Sequence, residues 1–172
     1  MPVLSDWEIK ARCKGSNMVV PFDPELLNPA SLDVVLGDHL MVESIYQPEF
    51  VRYDISLNTE SDSYWLQPGE FCLAETQETF NLPEYLSAQF VLKSSRARAG
   101  YQHMLAGWCD PGWHGSRLTL ELKNVRLHHP LPLYPGLKIG QMVCHTMSSA
   151  PLNSYASVGH YNNHSTVMPS VV

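Results

Sequence analysis

The 172-residue sequence lacks a long hydrophobic run. No stretch approaches the roughly 20 apolar residues that a membrane-crossing helix needs. The opening MPVLSDWEIK has no apolar run of signal-peptide type. The expectation from these absences is a cytoplasmic protein with no membrane partner. Cysteine is scarce and scattered. Cys13, Cys72, Cys109 and Cys144 contain no C-x-x-C pair, so four reduced thiols are expected rather than a disulfide framework. Positive charge is also scarce, with 11 Lys and Arg against 17 Asp and Glu and a net charge of −6 with His neutral. That balance argues against non-specific binding of nucleic acid. The distribution is uneven. Lys93, Arg96 and Arg98 fall within six residues, whereas no Lys or Arg occurs from Ile139 onwards. An acidic chain with one such cluster can still hold a small anion there.

Several catalytic patterns are missing. H-x-E followed by P-C-x-x-C, which a zinc deaminase requires, does not occur, so no zinc site is expected. His128-His129 precedes Pro130 and reads as part of a turn. There is no Walker A loop, no G-x-S-x-G and no dinucleotide-binding glycine fingerprint.

What is present is the texture of one globular, mainly β domain. Hydrophobic residues make up 44% and charged residues 16%. Ser5-Asp6-Trp7-Glu8 fits a capping box, which predicts a short helix after Ser5. A connection with Pro21, Pro24 and Pro29 follows. From Ser31 the chain becomes short apolar runs divided by turns. Candidate strands are 32–36, 64–66, 71–74, 89–92, 117–122 and 139–145, with Pro-Gly turns at 68–69, 111–112 and 135–136. Short strands at such spacing predict a sandwich, barrel or jelly roll. The stretch from about Pro151 has no periodicity, and its composition reads as a frayed terminus.

Three features could carry chemistry. Lys93-Ser94-Ser95-Arg96-Ala97-Arg98 directly follows an apolar run, and its hydroxyls, guanidinium groups and backbone N–H groups suit phosphate. As a bare pattern it is more often a solvated loop. Asp110-Pro111-Gly112 is a turn carrying a carboxylate. Glu121 alternates with Leu120 and Leu122, so it faces either water or a site.

In this order, the features resemble the dCTP deaminases, which share the fold of the trimeric dUTPases. Asn28–Gly37 is similar to the N-terminal strand signature of that family. Lys93-Ser94-Ser95-x-Ala97-Arg98-x-Gly100 is similar to its phosphate and catalytic loop. Ala106–Trp113 and Leu120-Glu121-Leu122 resemble its central hairpin, and Tyr134–Gln141 the strand after it. Val167-Met168-Pro169-Ser170 resembles an ending found in some members.

The resemblance implies a dUTPase-like distorted β-barrel or jelly roll with a short N-terminal helix. It implies one domain over 1–172, whose flexible tail, about 151–172, folds over bound nucleotide. It implies hydrolytic deamination of dCTP to dUTP and ammonia without zinc, supplying dUTP for dTTP synthesis. Glu121 would be the proton shuttle, with Ser94 and Arg98 holding and activating water. Residues Lys93, Ser94, Ser95, Arg96, Ala97 and Arg98 would contact nucleotide. Asp110 would lie against the deoxyribose, and the backbone of Thr119, Leu120 and Glu121 would read the pyrimidine edge. Gln141, Tyr155, His160 and His164 complete the expected substrate set. The last two stand where relatives commonly carry Lys and Gln. Mg2+ would accompany the triphosphate, with no metal site on the protein. The expected partners are a deoxycytidine nucleotide and two further copies, in a homotrimer with shared active sites. The alternatives are a bifunctional enzyme that releases dUMP and pyrophosphate, towards which Gln141, the Ala106-Gly107-Trp108 stretch and the Val-Met-Pro-Ser ending lean, and a non-catalytic nucleotide-binding regulatory module.

Overall fold

The computed structural model describes residues 2–171. The capping box forms: the Glu8 carboxylate accepts from the Ser5 N–H and hydroxyl, each at 3.0 Å, and opens α1 (Asp6–Ser16). Its inward residues Ile9 and Cys13 are buried. The strands then follow as β1 (Val19–Val20), β2 (Leu27–Asn28), β3 (Ser31–Val42), β4 (Val51–Asp54), β5 (Tyr64–Leu66) and β6 (Phe71–Asn81). After them come β7 (Leu86–Leu92), β8 (Tyr101–His103), β9 (Trp108–Cys109), β10 (His114–Asn124), β11 (Leu131–Leu133) and β12 (Lys138–Thr146). Two short helices, α2 (Ser94–Ala99) and α3 (Tyr155–Val158), interrupt and follow this series.

The main sheet has the order β8-β10-β6-β3-β12-β7-β9, with β1, β2 and β4 attached beside it. β8 and β9 lie at opposite ends of that path, yet only residues 104–107 separate them in sequence. A chain that short spans at most about 19 Å between the flanking Cα atoms. The sheet therefore curls until its two ends come close, which makes a half-barrel rather than an open layer. β3 joins the two halves. Its first part pairs with β12 (Asp33 opposite Gln141), and its second with β6 and β4 (Met41 opposite Leu73 and Arg52).

β10 shows how the sequence dictates the layering. Ser116, Leu118, Leu120, Leu122 and Asn124 are buried, while Arg117, Thr119, Glu121 and Lys123 between them are not. The period of two sends the leucines into the core and the polar set to the other face. Removing a leucine from water contributes about 1.5–3 kcal/mol, which is enough to fix this register.

Every candidate strand lies inside an observed one, and all but the 64–66 segment are longer than expected. Two expectations need correction. Residues 94–99 form a helical turn rather than a loop, since Ala97 N–H donates to the Lys93 carbonyl at 3.0 Å. The segment after Pro151 is not frayed. Val167 is fully buried, and the segment docks on β10 through its own backbone. Among the described residues, no helix is long and apolar enough to cross a membrane.

Candidate active site

On the curled sheet, β10 and β6 present one continuous face. Paired residues share a face in an antiparallel ladder. Glu121 stands opposite Leu73, and Thr119 opposite Glu75. Over this face lies a cavity of about 570 Å³. Its floor includes Arg117, Thr119 and Glu121 of β10 and Phe71 and Leu73 of β6. Trp108 and Asp110 form one wall. Tyr155, Tyr161, His164 and Met168–Ser170 of the C-terminal segment form another. Aromatic walls with a few convergent polar groups suit a planar polar ligand.

Glu121 is held from below. His103 Nε2 lies 3.1 Å from Glu121 Oε2, a close approach without hydrogen-bond geometry, and among the described residues neither buried atom has a hydrogen-bond partner. The His103 ring packs on Phe90 with centroids 4.7 Å apart. The Glu121 side chain keeps 26% of its surface, so its carboxylate remains reachable from the cavity. Sequence reading missed His103. A histidine 18 residues upstream comes within reach of Glu121 only because β8 pairs with the end of β10.

The outer edge of β10 is covered at both ends. Met104 N–H donates to the Glu121 carbonyl at 3.2 Å, and Arg117 N–H donates to the His164 carbonyl at 2.9 Å. Backbone groups two residues apart on a strand point the same way. The N–H and C=O of Thr119 therefore point to the gap between these two covers, at the cavity. Its hydroxyl accepts from Met168 N–H at 3.4 Å.

The turn after β9 aims the next groups. Asp110 is exposed, and its Oδ1 accepts from Trp108 Nε1 at 3.0 Å. Gly112 has φ +88°, and a side chain there would collide with Ser154 and with Ala156 N at 3.1 Å. Glycine thus lets α3 approach, and Tyr155 N–H donates to the Pro111 carbonyl at 3.0 Å. Burial pushes the Tyr155 hydroxyl above its ordinary pKa, so it stays protonated and can donate.

Of the expected residues, the structure brings Asp110, Thr119, Glu121, Tyr155 and His164 to one cavity. Leu120 points into the core and is fully buried. His160 is exposed and does not line the cavity. Gln141 lies on β12, accepting from the Ser31 hydroxyl at 3.0 Å. The 93–98 cluster is also elsewhere. Lys93 Nζ is 2.5 Å from Asp33 Oδ2, and Arg96 Nε donates to the Lys138 carbonyl at 2.9 Å. Ser94, Ser95, Ala97 and Arg98 are exposed. One chain therefore holds a base-sized cavity and an anion-suited cluster on separate surfaces.

The curled half-barrel is a fold shared with solved structures of a dCTP deaminase and a dUTPase. A dCTP deaminase from Agrobacterium tumefaciens superposes with a TM-score of 0.69 at 21% identity, covering 84% of this chain and 48% of that one. The chain thus spans about half the length of that protein. The EIAV dUTPase superposes with a TM-score of 0.50 at 14% identity, over 79% of this chain and 88% of that one. These likenesses concern the fold. In sequence, the model of the dCTP deaminase-like family matches residues 3–147, and the chain belongs to that family. It is similar to a "dCTP deaminase, dUMP-forming" of Methanosphaerula palustris, 40% identical over 157 residues (86% of this chain, 83% of that one). A protein of the same name from Methanospirillum hungatei JF-1 is 37% identical over 171 residues (93% and 91%).

Proposed function

We propose that the protein is bifunctional: it deaminates dCTP and cleaves the triphosphate, releasing ammonia, pyrophosphate and dUMP. This replaces dUTP as the expected product, because the similar curated proteins carry the dUMP-forming name. The observation that carries the chemistry is Glu121, half-open to an aromatic-walled cavity and braced by His103 at 3.1 Å.

Water adds to C4 of the cytosine and gives its proton to the Glu121 carboxylate. Glu121 passes that proton to N3, then takes the proton of the new C4 hydroxyl and delivers it to the departing amino group. The C4–N bond breaks, ammonia leaves, and a carbonyl remains. His103 fixes the carboxylate so that its reach does not vary during these transfers. The open N–H and C=O of Thr119 read the base edge, and Tyr155 and Asp110 border the sugar. A second water then cleaves the α–β phosphoanhydride, with exposed Asp110 placed to orient it. The overall balance is one dCTP and two waters to dUMP, ammonia and pyrophosphate.

Arg117 in the cavity floor is engaged by Glu75, so the phosphates need further cations. In the proposed homotrimer, Ser94 and Arg98 of a neighbouring copy complete the site, where Arg98 neutralises charge and Ser94 positions water. Magnesium arrives with the triphosphate and screens it. Among the described residues, no group of three or more His, Cys, Asp and Glu is placed to hold a metal ion. The experiment is product analysis with dCTP and magnesium, before and after treatment with a zinc-selective chelator. Equimolar dUMP, ammonia and pyrophosphate at an unchanged rate is the expected outcome. Accumulating dUTP would remove the second step. Activity restored by zinc alone would overturn the metal-free deamination.

A further inference from the structure

Glu75 sits in the middle of β6 with no exposed surface, an expensive place for a carboxylate. Three cation-bearing or donor elements converge on it. Oε1 faces His39 Nδ1 of β3 at 3.0 Å and takes a very short contact from Arg117 Nη1 of β10. Oε2 accepts from the Thr166 hydroxyl at 2.9 Å and from Val167 N–H at 2.6 Å, both in the C-terminal segment. Burial alone would raise the pKa of this carboxyl. The hydrogen bonds from His39, Val167 and Thr166, with the charge of Arg117, outweigh it and hold the pKa below the ordinary value. Glu75 is therefore an anion at neutral pH.

The backbone is built to aim it there. Pairing slips on both sides of Glu75: β6 against β3 between Leu36 and Leu40, and β6 against β10 between Arg117 and Thr119. Such irregularities redirect side chains from the plain alternation. Gly37 supplies the room, since a Cβ there would lie 2.9 Å from Glu75 Cγ and 3.0 Å from the Thr76 carbonyl. From the outside, Arg52 grips the same two residues, donating to Thr166 Oγ1 at 3.0 Å and to the Val167 carbonyl at 3.1 Å.

We propose that Glu75 is a positioning residue: its carboxylate fastens Thr166–Val167 and so sets Met168–Ser170 at the cavity rim, while its other oxygen fixes Arg117 in the cavity floor. Closure of the segment and the shape of the base pocket are thereby joined through one buried anion. Glu75 does not touch substrate in this scheme. Its effect on turnover rests on the deaminase reading above, but its effect on the segment does not.

The test uses Glu75→Gln in the full chain, read first by amide hydrogen exchange. Losing two charge-assisted bonds should speed exchange of residues 160–171 at least about tenfold, while β12 keeps its protection. In parallel, kcat/KM for dCTP should fall by about tenfold. The same substitution in a chain lacking residues 166–172 should add less loss than it causes in the full chain, because the contact with Thr166–Val167 is already gone and only the one with Arg117 remains to be lost. Unchanged exchange in 160–171, or fully additive losses, would overturn the proposal. Arg52→Leu serves if Glu75→Gln does not fold: Arg52 is exposed, so its loss spares the core. Faster exchange of the segment in that variant supports the latch, and unchanged exchange rejects it. If wild type shows no turnover of dCTP, the deaminase reading fails and the exchange data still decide the latch.

Discussion

At the scale of single residues, the acidic side chains divide by what surrounds them. Glu121 was legible as a candidate because it breaks an apolar alternation. Glu75 and Glu78 were not, because Glu-Thr-Gln-Glu-Thr has no pattern that distinguishes a buried acid from a wet one. Partners as far as 92 residues away make the difference. Glu78 is 2% exposed, and its carboxylate accepts from Val35 N–H at 3.2 Å. Burial pushes its pKa up from 4.5 to about 7. The folded protein therefore binds a proton that the unfolded chain releases. The stability this brings is complete below about 4.5 and is lost as pH rises through about 7. At full extent it is of the order of 3 kcal/mol. Glu75 has the opposite sign, since its pKa is lowered, and it favours the fold only above the unfolded value. Thermal melts of the wild type should lose stability between about pH 5 and 7.5, and Glu78→Gln should flatten that loss. Equal slopes in the two proteins would show that Glu78 is not the group titrating.

Elements were readable where one local rule decided them. The capping box gave α1, and alternation gave β10. The three Pro-Gly turns fall between strands. β4, β8, β9 and β11 went unseen because two to four residues are too few to show a period, and tertiary pairing alone makes them strands. The composition of the C-terminal segment misled for a related reason. The segment buries little apolar surface besides Val167 and is fixed by polar contacts, such as Trp113 Nε1 and Ser116 Oγ both donating to the Tyr161 carbonyl at 2.8 Å. Composition cannot report such contacts. The segment supplies a wall of the cavity, so deleting residues from Ser154 onwards should lower kcat/KM by about 10²-fold through lost positioning. Steady-state kinetics at several dCTP concentrations would check this, and an unchanged kcat/KM would make the segment dispensable.

For the whole molecule, the separation of the cavity from the 93–98 cluster on one chain is the telling fact. Under the proposed shared site, Glu121→Gln and Arg98→Ala should each reduce turnover by about 10²-fold or more. Unfolding the two variants together and refolding them as a mixture should restore activity, because some sites then pair an intact Glu121 with an intact Arg98. No recovery, or a monomer by light scattering, would place the whole site within one chain. The docked segment has a further bearing on the protein's behaviour in solution. By pairing His164 and Asn163 with β10 it occupies strand backbone that would otherwise be an open sheet edge. Free edges recruit other chains, which is how soluble β proteins begin to aggregate. The same residues that close a cavity thus keep the molecule from templating its own precipitation. A shortened chain should become turbid at concentrations where the full one stays clear.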